Sequence, residues 1–310
     1  MRYQKECLSM LLVSAELKML YIDFAAYCKS KNYKSGKGKL YQKAVWELLY
    51  WMEKNDCYEI SDLNSKVLDC YIDFLLTRPN KRHKNKSLSV NFINHNLFAI
   101  RLFLKYLIAK KYIDKTVIPP KNFRVKSTRL SLSEEEIKLL FKNCLNDKEM
   151  ALLALAYGCG LRRSEIVQLN VNDVNFKNKT LSVTKGKGNK ARDIPMNSKI
   201  ANILHNYLFH YRYKLLKFNN NENAFLLGSN GKRISGDSAN KLLKTIVKRT
   251  NNYTLQKKQV SLHILRHSIA THLADNNVDI EYIKHFMGHA FINTTIVYLK
   301  NRKIKSKYKI

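Results

Sequence analysis

Apolar residues recur at helical spacing along most of this chain, and few residues interrupt them. In the stretch 87–113, for example, they fall at positions 93, 97, 100, 103, 104 and 107. This spacing places them on one face of an amphipathic helix. The chain of 310 residues holds only 10 Gly and 4 Pro, the residues that most often end a helix. The sequence therefore predicts a mainly α-helical fold.

One segment breaks the periodicity and divides the chain. Residues 118–130 read "IPPKNFRVKSTRL", contain the only Pro-Pro pair and show no repeat, which is typical of a linker. Directly after it, Ser133 and Glu136 have the spacing of a capping box, which opens a helix. We therefore predict a first domain over 1–118, a linker over 119–130 and a second domain over 131–310.

The second domain contains the one region that resembles β-structure, at 171–196. There the segments "TLSVT" and "RDIPM" flank the turn "KGKGNK", a pattern that predicts an antiparallel hairpin. Helices are expected to resume after Asn197 and near Ser235, Leu262 and Asp279. The expected second domain is thus helical, with one small antiparallel sheet.

The chain is strongly basic, and both predicted domains contribute to the excess. It holds 56 Lys and Arg against 24 Asp and Glu, a formal net charge of +32. Residues 1–118 carry 21 basic and 11 acidic side chains, and the remainder carries 35 and 13. Such a surplus in two folded domains indicates a long polyanion held from two sides, and DNA is the obvious one.

A basic loop at 78–87, "RPNKRHKNKS", is the first candidate for contact with the phosphate backbone. A solvated charged surface is the alternative, and the charge of the whole chain favours DNA. The candidate contacts in this loop are Arg78, Lys81, Arg82, Lys84 and Lys86. A membrane is not expected as a partner, because the sequence shows no basic amphipathic anchor or lipidation signal, and its longest apolar run, 150–161, is too short to span a bilayer.

The cysteines and the N-terminus indicate a cytoplasmic protein. The six cysteines form no C-x-x-C pair, which favours reduced thiols. The N-terminal residues faintly resemble a signal peptide, but Glu6 interrupts the charged region and the apolar pattern continues to Phe24, which favours an amphipathic helix.

Three motifs suggest a cofactor or a metal at first sight, and each fails on its context. The segment "GKGNKA" fits a dinucleotide fingerprint, but a strand follows it where a helix is required. The segment "GSNGKR" lacks the Ser or Thr and the spacing of a phosphate-binding loop. His263 and His267 have the helical spacing of a zinc pair, but Ile264 stands where a metalloprotease needs Glu. We therefore expect neither a cofactor nor a metal.

The segment "LHILRHSIATHLADNN", at 262–277, combines a core stripe with a polar pair. His263 and Arg266 stand at i and i+3 and share a helix face away from the stripe. Arg offers a planar fork of permanently charged donors and His exchanges a proton near neutral pH, so the pair suits a phosphate. Taken alone, the pair is more typical of a solvated polar face.

Other short motifs accompany this pair in a fixed order. "GLRRSE" contains Arg162, "GKGNK" contains Lys187, and Gly288-His289 is followed nine residues later by Tyr298. In this order, with "HILR" between, the motifs resemble the signature of the tyrosine recombinases, the Xer and phage integrase family, over about residues 125–300. The first domain is similar to the family's four-helix DNA-binding domain, and its stretch "SVNFINHNLFAIRLFLKYL" contributes to the likeness.

The resemblance implies a site-specific recombinase that acts through a 3′-phosphotyrosine and needs neither ATP nor metal. Tyr298 would be the nucleophile and His263 its base, while His289 would bind the phosphate by a hydrogen bond. Arg162 and Arg266 would neutralise the non-bridging oxygens. Lys187, on a hairpin turn, would protonate the departing 5′ oxygen. The remaining candidates are Lys185 and Lys190, as DNA contacts in the same turn, and Glu165, which either orients the cluster or serves as a first-turn acid.

In such a family the partner would be double-stranded DNA with an inverted-repeat core site, bound by a tetramer in the synaptic complex. His289 and Tyr298 can meet only if the chain turns between them, because positions nine apart lie on opposite faces of one helix. Gly288 is expected to end one helix, and Asn293 to begin the next. Two alternatives stay open: a type IB topoisomerase-like enzyme that nicks and reseals one duplex, and a DNA-binding protein without catalysis.

Overall fold

The computed structural model describes most of the chain as two compact units, one within residues 1–127 and the other within 128–310. The described residues are 11–31, 33, 37–80, 86–113, 117, 120–124, 130–184, 191–216 and 222–298, with the side chains of 37–39 excepted.

The described part of the first unit contains four α-helices around one apolar core. They are α1 (Ala15–Ser30), α2 (Lys37–Glu53), α3 (Ser65–Thr77) and α4 (Val90–Ala109). Ser14, Asn64 and Ser89 cap α1, α3 and α4, each with a side-chain oxygen that accepts a backbone N–H of the first turn. The fully buried side chains include Phe24, Leu48, Tyr71 and Phe103. The apolar periodicity predicted helices in this unit, including the N-terminal amphipathic helix that continues to Phe24 and the helix within 87–113.

The second unit is also mainly helical and encloses a larger core. Its α-helices in chain order are α5 (Glu134–Lys142), α6 (Asp147–Leu153), α7 (Arg163–Gln168), α8 (Ser198–Asn206), α9 (Arg212–Leu216), α10 (Gly236–Arg249), α11 (Tyr253–Lys257), α12 (Leu262–Asp275), α13 (Ile280–Met287) and α14 (Asn293–Ile296). A π-helical turn at Ala154–Gly158 follows α6, and another at Tyr207–Tyr211 joins α8 to α9.

A small antiparallel sheet lies between α7 and α8. Its strands are β1 (Val174–Asn175), β2 (Thr180–Val183) and β3 (Arg192–Pro195), in the order β1-β2-β3. Leu181 pairs with Ile194, and both side chains are buried in the core. The predicted hairpin of "TLSVT" and "RDIPM" is therefore confirmed, and its turn at 185–190 lies outside the described residues.

The predicted helix starts of the second unit coincide with side-chain caps. Ser133 and Glu136 form the expected reciprocal capping box of α5. Asn197, Ser235 and Asp279 cap α8, α10 and α13, each with a side-chain oxygen that accepts from a backbone N–H of the first turn. Each cap satisfies backbone N–H groups that the first turn of a helix leaves without partners, so the start of each of these helices is encoded locally.

The backbone of Leu132, close to the start of the second unit, forms hydrogen bonds with two side chains of α12. Its N–H donates to Ser268 Oγ at 2.8 Å, and its carbonyl lies 2.9 Å from His272 Nε2. Since a carbonyl can only accept, His272 Nε2 carries the proton, and His272 Nδ1 then accepts from the hydroxyl of Tyr157 at 2.9 Å. The pair of His272 and Tyr157 therefore connects α12 to the backbone of Leu132 and to the π-helical turn at Ala154–Gly158.

Candidate active site

A buried carboxylate, that of Glu165 in the first turn of α7, lies at the centre of the polar cluster. Only 2% of its side chain is exposed, and three arginines surround it. Arg162 donates to it from its backbone N–H at 2.8 Å and from Nη1 at 2.6 Å. Arg192 on β3 donates with Nη1 at 3.1 Å and Nη2 at 2.9 Å, and Arg266 Nη1 lies 3.5 Å away. The cluster thus gathers α7, β3 and α12 around one anion.

These partners hold Glu165 ionised. Burial opposes ionisation, but the hydrogen bonds and charge of Arg192, the backbone N–H of Arg162 and the charge of Arg266 outweigh it. The pKa of Glu165 consequently falls from 4.5 to about 2. A lowered folded-state pKa contributes stability above the unfolded value of 4.5, and this contribution is lost as the pH falls towards 2.

We expect the stability difference between the unaltered protein and Glu165→Gln to depend on pH. At neutral pH the variant should be less stable by about 3 kcal/mol, the equivalent of the lowered pKa of the buried carboxylate. The difference should shrink as the pH falls from about 5 to 2, because the carboxylate of the unaltered protein gains its proton there. Urea unfolding at a series of pH values measures it, with the exposed Glu281→Gln as the control; a difference that stays flat below pH 5 would contradict this role of Glu165.

The same three arginines bind three consecutive backbone carbonyls at the end of α13. Arg192 Nε donates to Phe286 O at 3.0 Å, Arg266 Nη2 donates to Met287 O, and Arg162 Nη2 donates to Gly288 O at 2.7 Å. The last carbonyls of a helix have no partner within it and carry its negative partial charge. Three guanidinium groups satisfy them here, and we call this arrangement the arginine cap of α13.

Gly288 makes the arginine cap possible. Its φ of +59° and ψ of +47° are left-handed, so it ends α13 as predicted. A Cβ added here would lie 2.7 Å from Arg192 Nη1 and 2.9 Å from its Cζ. Arg192 cannot move aside cheaply, because Glu165 and Phe286 O hold its guanidinium.

Gly288→Ala is therefore expected to lower the free energy of unfolding by about 1–3 kcal/mol, the usual cost of a left-handed conformation in other residues. Contact of the new methyl with Arg192 adds to this cost. Thermal or urea unfolding of the single and double variants Gly288→Ala, Arg192→Ala and both together forms a cycle that isolates the contact. If the clash contributes, the double variant will be more stable than the sum of the single effects predicts; simple additivity would assign the whole cost to the backbone.

Arg266 is more buried than its expected role on a polar face suggested. It is 2% exposed, and Nη1 donates to the carbonyl of Gly160 while Nη2 donates to Met287 O. Burial first, and then the charge of Arg162, lowers the pKa of Arg266 below its ordinary value, and Glu165 opposes this. An arginine remains protonated at neutral pH even so. The site therefore holds a fixed, largely desolvated cation, which suits an anionic substrate.

His289 and Tyr298 come together through the turn that follows Gly288. The short helix α14 reverses the chain, and the two rings lie nearly parallel, 6.3 Å apart between centroids and inclined by 9°. His289 Nδ1 lies 2.8 Å from the hydroxyl of the buried Thr295. Tyr298 is 5% exposed, and a phenolate at this position would interact favourably with Arg266. The spacing of Gly-His and Tyr therefore corresponds to the predicted turn.

His263 lies in the first turn of α12 and is open to solvent at its surface. Partial burial, followed by the charges of Arg266, Arg162 and Arg163, lowers its pKa below 6.5. It is therefore mainly neutral at pH 7 and able to accept a proton. Its ring contacts that of His267, with centroids 5.1 Å apart.

Two functional contacts of the site were missed in the sequence. Arg192 lies in the predicted strand "RDIPM", and nothing in the sequence indicated which polar groups it would contact. His267 was considered only as half of a failed zinc pair, yet its Nδ1 lies 2.5 Å from the hydroxyl of Tyr298. The only hint in the sequence was the second His of "HILRH", one residue beyond Arg266.

The predicted DNA-contacting residues are only partly described. Arg78 does not face solvent: its side chain is 10% exposed and lies 2.7 Å from Glu47 in a salt bridge. This pairing argues for a structural role of Arg78, and we leave it out of the proposed DNA contacts. Lys86 is exposed. The candidates that lie outside the described residues are Lys81, Arg82, Lys84, Lys185, Lys187 and Lys190.

Within the part of the chain that the structure describes, no group of three or more His, Cys, Asp or Glu side chains could hold a metal ion. No helix among those same residues has the length and apolar character needed to cross a bilayer.

The second unit matches a known family. The family model described as "Phage integrase family" matches residues 131–304. Tyrosine recombinase XerD of Oceanobacillus iheyensis is 31% identical over 233 residues, which cover 72% of this chain and 76% of that protein. Tyrosine recombinase XerC of Histophilus somni is 27% identical over 271 residues, covering 83% of this chain and 84% of that protein.

Solved structures share the fold of the chain. The Tn1549 transposon integrase in complex with circular intermediate DNA gives a TM-score of 0.70 at 18% identity, covering 95% of this chain and 99% of that one. The XerH site-specific recombinase bound to its difH substrate gives a TM-score of 0.66 at 19% identity, covering 87% and 78%.

Proposed function

Because this chain belongs to the phage integrase family and is a site-specific tyrosine recombinase, an enzyme that cleaves and rejoins DNA, we propose that Tyr298 is its nucleophile. The observation that carries the proposal is the position of this side chain. Its hydroxyl is hydrogen-bonded to His267, its ring lies against that of His289, and the negative charge that it would carry as a phenolate would interact favourably with Arg266 of the arginine cap. The position of this tyrosine, at 5% exposure among cationic and proton-accepting groups, supports a role in attack on a phosphate.

The arginines would bind the scissile phosphate. Arg162 and Arg266 both contact protein carbonyls and Glu165 through Nη1 and Nη2, which fixes the orientation of each guanidinium before DNA binds. Donors held in this way need no rearrangement when charge develops on the non-bridging oxygens. His289 would add a hydrogen bond to the same phosphate. Glu165 and Arg192 would position Arg162 and Arg266 without contacting DNA.

In the cleavage step, Tyr298 Oη gives up its proton to a neighbouring histidine and forms a bond to phosphorus, and the bond from phosphorus to the 5′ oxygen breaks. The 5′ oxygen leaves with a proton, for which Lys187 remains the proposed acid on the resemblance of its motif. The product is a 3′-phosphotyrosine, which keeps the energy of the phosphodiester. A 5′-hydroxyl from another strand can then attack it and rejoin the DNA without ATP.

The first unit would act as the core-binding DNA domain, and the enzyme would bind a duplex with an inverted-repeat core site. The charge of both units supports this, as does the DNA present in the Tn1549 integrase and XerH structures. Four protomers on two duplexes would form the synaptic complex. A recombinase that acts on chromosomal or mobile-element DNA would be located in the cytoplasm. The lack of C-x-x-C pairs in the sequence agrees with this location.

The proposal predicts a defined reaction on the DNA that flanks the gene. An inverted repeat from this DNA should give a covalent protein–DNA complex when nicked near its centre, and recombinant products when two copies are present. Affinity should fall steeply with salt, since phosphate contacts release counterions. Light scattering of the complex should give four protomers on two duplexes, with a scrambled repeat as the control. Relaxation of any supercoiled plasmid without a preferred site would favour the topoisomerase-like alternative, and binding without an adduct would favour the non-catalytic one.

A further inference from the structure

His267, on α12, contacts the hydroxyl of Tyr298 directly. Its Nδ1 lies 2.5 Å from that oxygen, and the two ring centroids are 5.8 Å apart. His263 contacts the ring of His267 and so stands one ring further from Tyr298. The order along this row is therefore Tyr298, His267, His263. The histidine expected from the sequence to be the base is the outer one.

The chemistry of this contact defines which group donates. An oxygen and a nitrogen atom this close are joined by a hydrogen bond. A neutral imidazole has one donor and one acceptor nitrogen. With the proton on Nε2, the phenol donates to Nδ1. Free tyrosine and histidine have pKa values of about 10 and about 6.5, so the proton stays on the phenol before reaction. When Oη begins to bond to phosphorus, its acidity rises sharply, and the proton can pass along a hydrogen bond that already exists.

We propose that His267 is a catalytic base of this enzyme and receives the phenolic proton of Tyr298 during strand cleavage. The inference rests on the proposed nucleophile, Tyr298. In the step, the bond between Oη and phosphorus forms, the proton of Oη moves to His267 Nδ1, the bond to the 5′ oxygen breaks, and that oxygen takes a proton from the acid. On rejoining, the 5′-hydroxyl attacks, and the imidazolium of His267 returns its proton to the departing phenolate.

The position of His267 in the chain suits this division of work. It follows Arg266 directly, and successive residues of an α-helix point about 100° apart. Arg266 is directed towards the carbonyls of Gly160 and Met287, while His267 is directed towards the nucleophile. One turn of α12 thus supplies both a cation near the phosphate and a proton acceptor at the attacking oxygen, without competition between the two side chains.

The experiment compares His267→Ala and His267→Asn in the full-length protein. The measured quantity is the single-turnover rate of covalent complex formation on a nicked suicide duplex. Asparagine keeps a hydrogen-bond acceptor near Nδ1 and cannot take the proton, so both variants should be slower by a similar factor, on the order of 10²–10⁴-fold. Free imidazole in the buffer should restore part of the rate to His267→Ala. A fluorinated, more acidic tyrosine at position 298 should also help His267→Ala and should not help Arg266→Ala.

His272→Ala is the matched control, since His272 forms the other His–Tyr pair of α12 and should stay within a few-fold of the unaltered rate. A near-normal rate for His267→Asn would overturn the proposal and leave His267 as a hydrogen-bond partner only. A normal rate for His267→Ala together with a large loss for His263→Ala would overturn it as well. His267→Asn decides the matter should His267→Ala fail to fold. An adduct in Tyr298→Phe would instead overturn the nucleophile, so the two failures are distinct.

Discussion

Tyr298→Phe should bind DNA as the unaltered protein does and should form no covalent complex. The substitution removes only the hydroxyl, so the ring keeps its buried place beside His289. Without the oxygen the proposed nucleophile is absent, and His267 loses its hydrogen bond to Oη. Covalent complex on a nicked suicide duplex, separated in denaturing gels, gives the measurement, and the loss should be complete within detection.

Two further tyrosines provide the controls for this prediction. Tyr282 on α13 is 45% exposed, and Tyr282→Phe should form the complex normally. Tyr308, ten residues beyond the proposed nucleophile, is the other tyrosine near the C-terminus. If Tyr298→Phe still forms the adduct and Tyr308→Phe does not, then Tyr308 is the nucleophile and the proposed site is wrong.

Lys187→Ala and Arg266→Ala should both cleave ordinary DNA slowly, but they should respond differently to the leaving group. The loss for Lys187→Ala should be on the order of 10²–10⁴-fold, which is typical of a general acid. The loss for Arg266→Ala should be at least on the order of 10²–10³-fold, as for other fixed donors to a developing oxyanion. A substrate with a 5′-bridging phosphorothiolate leaves as a thiolate and needs little protonation. It should restore most of the rate to Lys187→Ala and little of it to Arg266→Ala.

The controls for the leaving-group test come from the same segment of sequence and from the same arginine cluster. Lys185 and Lys190 lie close to Lys187 in the sequence. The phosphorothiolate substrate should not selectively restore the rate of Lys185→Ala or Lys190→Ala. Arg162→Ala should behave like Arg266→Ala. Arg266→Ala also leaves the carbonyls of Gly160 and Met287 without a donor, so its unfolding temperature must be recorded. Equal rescue of all variants, or no rescue of Lys187→Ala, would make Lys187 a phosphate contact only.

Local signals explain why much of the fold was predictable. The helix starts at Ser133, Asn197, Ser235 and Asp279 each follow from a side chain that caps its own first turn. The hairpin of β2 and β3 follows from alternating residues around a glycine-rich turn. These interactions join residues a few positions apart, and a pattern in the sequence can therefore record them.

The missed features depend on contacts between distant residues. Arg192 bonds to a carboxylate 27 positions before it and to a backbone carbonyl 94 positions after it, and a carbonyl leaves no trace in the residue type. The burial of Arg266 has the same origin, because its partners include two backbone carbonyls. His267 reaches Tyr298 across 31 positions, and nothing in "HILRH" indicates which histidine faces the tyrosine.

The arginine cap of α13 also determines what kinds of genetic change the site tolerates. Its acceptors are backbone carbonyls of Phe286, Met287 and Gly288, and every amino acid carries such a carbonyl. The side chains of Phe286 and Met287 can therefore drift over generations without removing an acceptor, provided that the apolar core accepts the change. A single-codon insertion or deletion within α13 is different, because it rotates the helix end by about 100°. All three acceptors, together with the step into His289, would then be lost in one event.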